Sequence, residues 1–120
     1  MALSDPQSVT INSVAISLPR TSSSVNAGIF TSNDGVVKET VSHQYGKRTR
    51  HLVRIDHSKI AADPLISAQN IKHSMSFYVV ADVPVTGYTV AEAKQVIDGF
   101  IAQLNASSGA LITKVLGGEN

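Results

Sequence analysis

The hydrophobic pattern changes period once along the chain. Between Val9 and Val83 apolar residues fall in short runs or alternate with polar ones; from Val90 they recur with helical spacing. Successive strand side chains point to opposite faces, so each face is read separately. In Val37–His43 the even positions are Lys38, Thr40 and Ser42, and the odd positions are Val37, Glu39, Val41 and His43. In Leu52–Ser58 the odd face is Val53, Ile55 and His57, against Leu52, Arg54, Asp56 and Ser58. In Lys72–Val80 it is His73, Met75, Phe77 and Val79, against Lys72, Ser74, Ser76 and Tyr78. One design is thus repeated three times: an apolar side that needs a cover, and an open side of hydroxyls, Lys and Arg. An antiparallel sheet can leave such a face to solvent.

Taken in order, Val9–Ile11 and Val14–Leu18 predict a hairpin turning at Asn12-Ser13, ended by Pro19. Thr21–Ser24 reads as a patternless polar loop and Ala27–Thr31 as a third short strand. Asn33-Asp34-Gly35 is a turn, since these residues tolerate positive φ. A strand from Val36 to about Gln44, the basic turn Tyr45–Arg48 and a strand over Thr49–Ile60 follow. Ala61–Gln69, centred on Asp63-Pro64, is a loop, because Pro64 has no N–H for a ladder. Asn70–Val83 is the longest strand, closed by Pro84.

Val90, Ala93, Val96, Ile97, Phe100, Ile101 and Leu104 line one face of a helix over 90–106. Thr89 and Glu92 have capping-box spacing. Gly99 weakens that helix by about 1 kcal/mol relative to Ala and points to close packing. Ser107-Ser108-Gly109 breaks it, and Ala110–Leu116 is a second, shorter helix stopped by Gly117-Gly118. Strands followed by helices predict an α+β fold: an N-terminal β-hairpin, an antiparallel sheet of about five strands and two C-terminal helices on one face. Two such helices cover only part of the sheet. The uncovered apolar face and free edges call for a partner, and a homodimer in which each chain's helices cover the other's sheet answers both needs.

The 120 residues suit a single domain, divided as hairpin (1–20), sheet (26–84) and two helices (89–117). With no Cys, disulfides, thiolate catalysis and Cys-based zinc sites are excluded. His43, His57 and His73 share phase with apolar residues, which favours hydrogen-bonded core-edge or interface histidines, while His51 beside Arg50 reads as exposed. No helical His pair, nucleotide-binding glycine loop or Gly-x-Ser-x-Gly is present, so no metal, cofactor or enzyme activity is expected. No apolar run approaches the roughly 20 residues of a membrane helix. Met1–Pro6 lacks the basic region of a secretory leader, and none is expected. Net charge is only +1, yet Lys47, Arg48, Arg50 and Arg54 fall within eight residues. Lys and Arg supply phosphate contacts, and hydroxyls and amides reach sugars and base edges. Lys38, Thr40, Ser42, Arg54, Lys72 and Ser74 would converge on one such surface.

In the order and spacing of these elements the chain resembles the coat proteins of single-stranded RNA bacteriophages, the levivirus-type coats. The resemblance rests on the hairpin from Val9 to Arg20, the Gly-bearing strand Ala27–Ser32, the strand Lys38–Ser42, the basic turn entering Arg50–Asp56, and a long strand leading into helices. It implies a helix-swapped homodimer with a continuous ten-stranded sheet, assembling into an icosahedral T=3-type shell around genomic RNA. The interior sheet face would bind RNA and, in several relatives, a hairpin whose capture represses translation. Carried over by position, the RNA-binding residues are Lys38, Thr40, Ser42, Arg50, Leu52, Arg54, Asn70, Lys72 and Ser74. Leu52 departs from the polar residue usual there, and Tyr78 lies further along its strand than the stacking Tyr of relatives. Asp63, Pro64 and Leu65 match the loop that gathers at the shell's symmetry axes, and Val90, Ala93, Ile97, Phe100 and Leu104 form the dimer face of the helix. The resemblance also implies a phage maturation protein as partner, assembly in the bacterial host cytoplasm and residence in the virion. Two other readings stay open: a small homodimeric α+β ligand-binding module or enzyme of cellular origin, and a dimeric RNA-binding repressor that builds no shell.

Overall fold

The computed structural model describes residues 3–120; the leader reading at Met1 and Ala2 lies outside it. The chain forms two compact units, Met1–Asp82 and Val83–Asn120. The first opens with a two-stranded sheet of β1 (Gln7–Ile11) and β2 (Val14–Leu18), paired antiparallel with Ile11 opposite Val14. Asn12 and Ser13 between them have φ of 52° and 63°, the left-handed pair whose twist matches that of a two-residue hairpin.

A five-stranded sheet follows in chain order: β3 (Arg20–Ser24), β4 (Ala27–Thr31), β5 (Val37–Gln44), β6 (Arg48–Ala62) and β7 (Asn70–Pro84). β3 corrects the sequence reading, which makes Thr21–Ser24 a loop. The segment pairs with β4, with a register shift between Arg20 and Ser22, and Thr21 Oγ1 lies 3.0 Å from Thr31 Oγ1. An edge strand with exposed side chains has no buried face, so no alternation marks it, and backbone pairing alone makes it a strand. The β4–β5 turn is held by Asp34, whose carboxylate accepts from the Ser32 hydroxyl and the Val36 N–H, and Gly35 takes φ 73°. Those two bonds, the hydroxyl first, hold the Asp34 carboxyl below its ordinary range.

The core is small. Leu18, Phe30 and Val37 are fully buried, with Val9, Ile11, Ile16, Val36, Val41 and Ile55 packed around them. The β1–β2 hairpin therefore closes over the apolar face of β4–β6. Burial of each such side chain stabilises by about 1.5–3 kcal/mol. The rest of that face is open: Val53, Met75, Phe77 and Val79 keep 45–57% of their surface exposed.

The second unit is dominated by α1 (Val90–Leu116). Thr89 caps it, its hydroxyl accepting from the Glu92 N–H at 3.1 Å. The reciprocal half of the capping box takes another form, since the Glu92 carboxylate accepts from the Thr89 hydroxyl itself. Two helices were expected, and the structure instead has one element of 27 residues with non-helical backbone at Ala106–Gly109. Ser107, Ser108 and Gly109 all take positive φ, so the predicted breaker is present but kinks the element without opening a loop. No residue of α1 is buried, and nothing lies within 4 Å of a Cβ built on Gly99, so the close packing expected there is not found within the described chain.

Candidate nucleic-acid interface

The polar face follows from strand register. Residues directly opposite one another on neighbouring strands share a face. Lys38 stands opposite Asp56, Thr40 opposite Arg54, Ser42 opposite Leu52 and Gln44 opposite Arg50. On the other side Thr31, Ile29 and Ala27 flank Lys38, Thr40 and Ser42. Two shallow cavities of about 250 Å³ tie in β7. One is bordered by Ser42, Arg50, Leu52 and Tyr78, and the other by Lys38, Asp56, Lys72 and Ser74. By register and strand alternation the nine residues marked by the sequence share one face. Asn70, at the exposed start of β7, borders neither cavity.

Charge on this face is partly self-compensated. Arg54 Nη2 lies 2.9 Å and Nε 3.0 Å from Asp56 Oδ1, and its guanidinium stands 5.9 Å over the Tyr78 ring. Arg48 and Asp82 pair at 3.0 Å at the far end of β6. Among the described residues Lys38, Arg50 and Lys72 make no ion pair, which leaves three cations for an outside anion. Hydroxyls of Thr40, Ser42 and Ser74 lie between them. Fixed cations around neutral donors and an aromatic ring provide phosphate contacts, sugar and base-edge hydrogen bonds and a stacking surface.

One contributor was not singled out by the sequence. Asp56 was read only as a polar strand position, and its role as the Arg54 counter-ion depends on both being on the same face two residues apart. Tyr78, which its phase places on this face further along the strand than the stacking Tyr of relatives, is brought to Arg54 and Leu52. The opposite face carries Glu39, across from Ile55, where loss of solvent raises its carboxyl above the ordinary range.

The β6–β7 loop is an ordered turn. The Asp63 carboxylate accepts from the Leu65 N–H at 2.8 Å, and the Asp63 N–H donates to the Gln69 carbonyl. Leu65 beyond Pro64 is 92% exposed. On α1, Val90 and Phe100 are exposed, and Ala93, Ile97 and Leu104 half-buried.

No family model matches the chain, and no curated protein sequence does. Solved structures do. A virus-like particle of bacteriophage AVE019 matches with TM-score 0.77 at 11% identity, over 89% of this chain and 90% of that one. A virus-like particle of Beihai levi-like virus 21 matches with TM-score 0.73 at 10% identity, over 97% and 95%. The fold is that of the levivirus-type phage coat proteins. An unassembled bacteriophage coat-protein dimer, described as an RNA-binding dimer, shares this coat-protein fold at TM-score 0.54 and 10% identity, over 97% and 95%. Identities this low establish the coat-protein fold, and the chemistry of the polar face rests on this chain's own residues.

Proposed function

We propose that the chain is a structural, non-enzymatic coat protein. It dimerises, builds an icosahedral T=3-type shell in the bacterial host cytoplasm, and holds single-stranded genomic RNA against the polar face of β5–β7. The observation that carries this reading is a coat-protein fold spanning nearly the whole chain, with Lys38, Arg50 and Lys72 unpaired on one sheet face. Dimerisation is supported by apolar surface with no cover: Met75 and Phe77 on β7, and Val96, Phe100 and Ile101 on α1, are each about half exposed or more. An exchanged-helix dimer with a ten-stranded sheet would bury both sets and make the two units parts of one domain. Asp63, Pro64 and Leu65 then serve contacts between dimers. Capture of an RNA hairpin, with repression of translation, and contact with a phage maturation protein complete the reading.

Size tests it. The chain is expressed alone in bacteria, sized by chromatography, and the leading peak examined by negative-stain microscopy and its 260/280 nm absorbance ratio. RNA-filled particles are expected. A dimer that carries no nucleic acid and does not assemble when RNA is added would replace this reading with a ligand-binding module. A dimer that binds RNA without assembling would leave a repressor.

A further inference from the structure

We propose that the hydrogen bond between His43 and His51 is an acid-sensitive latch on the β5–β6 hairpin, which takes up one proton intact and is forced open by a second. The two residues are directly paired across β5 and β6. The His43 N–H donates to the Asn26 carbonyl at 2.8 Å, away from β6. His43 and His51 are therefore a non-hydrogen-bonded antiparallel pair, the type in which side chains approach most closely. Their half-buried rings meet edge-on, with the two Nδ1 atoms at a hydrogen-bond distance of 2.8 Å. Gln44 and Arg50 are the next pair toward the turn, and since the two pair types alternate, they are the pair whose backbones close the hairpin. The latch lies one step inside that closure.

The proton count sets the behaviour. With both rings neutral, one Nδ1–H donates to the other Nδ1, whose own ring carries its proton on Nε2. The first added proton goes to the Nε2 of the donor ring, and the bond survives as a charge-assisted one. The second can only occupy the acceptor Nδ1. Two N–H groups then face each other and two cations lie side by side, so the rings must part. Imidazole is the side chain that ordinarily changes charge between about pH 5 and 8. A proton refused by the closed pair and accepted by the open one favours opening by up to about tenfold per pH unit. Nothing nearby offsets the second charge. Among the described residues neither ring pairs with a carboxylate. On β5, Tyr45 flanks both rings at 6.3 and 6.4 Å, while Glu39 stands further back, across from Ile55. From β3, Arg20 borders a cavity with His43 and is itself a cation. The β1–β2 hairpin carries no titratable side chain. On β7, the Arg48–Asp82 bond and the cavity shared by Arg50, Leu52, Tyr78 and Val80 put uncharged Val79 level with His51. Opening would also loosen Arg50, a cation of the polar face; that consequence rests on the nucleic-acid reading, and the latch itself does not.

The test is amide hydrogen exchange read by mass spectrometry on the full chain in whatever assembly it forms, at about pH 7.5 and about pH 5, with intrinsic exchange rates divided out. Peptides covering 40–52 should lose at least about tenfold in protection at the lower pH, while those covering 27–37 keep theirs. In His51→Gln the amide oxygen accepts from the His43 Nδ1–H in either charge state of His43, so the extra acid loss should disappear. His57 stands opposite Val37, with no imidazole across from it, and His57→Gln should respond to acid as the wild type does. Unchanged protection of 40–52 in the wild type at about pH 5, or a wild-type acid response in His51→Gln, would overturn the latch. Should His51→Gln fail to fold, the wild-type chain decides. Acid loss confined to 40–52 supports the latch, and equal loss across all segments refutes it.

Discussion

At the scale of single residues, the two sheet faces give opposite predictions. Glu39 lies on the apolar face, and burial raises its carboxyl above the ordinary value of 4.5. A raised acid favours folding while protonated, and that contribution is lost as pH rises through the folded value. Glu39→Gln should therefore raise the melting temperature at pH 7, with the gain shrinking as pH falls through the raised folded value and gone below 4.5. A melting series from pH 7 to 3.5 checks this, and a gain that persists in acid would assign the effect to something other than the charge. On the polar face, Lys38→Ala with Lys72→Ala should weaken RNA binding with little sequence dependence. Arg54→Ala, which also frees the Asp56 carboxylate and strips the cation from Tyr78, should weaken it more than either lysine alone. Filter-binding assays and the RNA content of particles measure both. Of this face, parity along three strands revealed Lys38, Thr40, Ser42, Arg54, Lys72 and Ser74 at once. The contact of Arg54 with Tyr78 stayed hidden, because it depends on how far β7 slides past β6, and alternation carries no information about that offset.

At the scale of elements, legibility followed burial. β1, β2, β4 and β5 each bury part of one side, and their patterns showed it within two residues. β3 buries almost nothing and was missed. α1 has a clear apolar stripe, so its start at Thr89 and its breaker at Ser107–Gly109 were readable. Whether the breaker yields a loop or a kink was not, since that turns on three consecutive left-handed residues. Gly99 is open to a direct trial. With nothing near its absent Cβ, Gly99→Ala should stabilise α1 by about 1 kcal/mol. If stability rises while particles disappear, the glycine is reserved for a neighbouring copy. Helicity by circular dichroism and particle yield, measured together, separate the two outcomes.

At the scale of the whole molecule, one chain leaves its apolar surface unfinished. Among the described residues three side chains are fully buried, while Met75, Phe77 and Phe100 each expose more than half their surface. Phe77→Lys should prevent dimerisation, seen as a shift to the monomer position on a sizing column; dimers that persist would remove Phe77 from the contact. RNA binding at this scale is a counterion problem. For single strands, log K falls with log salt by about 0.7 per phosphate contact, so the Lys38/Lys72 double variant should flatten that slope by about 1.4. An unchanged slope would place the phosphate contacts elsewhere.

By itself the sequence determined the fold class, the strand faces, the helix start and the set of cations that share a surface. Each of these follows from local periodicity, turn chemistry and charge, which the chain carries residue by residue. Tertiary structure decided what depends on separate segments meeting: the β3 edge, the Tyr78 ring beside Arg54, and the closure of the hairpin over Phe30. It also decided the contact between His43 and His51. The sequence shows both as separate strand positions, one in phase with apolar residues and one exposed beside Arg50. Only the register of β5 against β6, and the side to which the His43 N–H points, brings their nitrogens together.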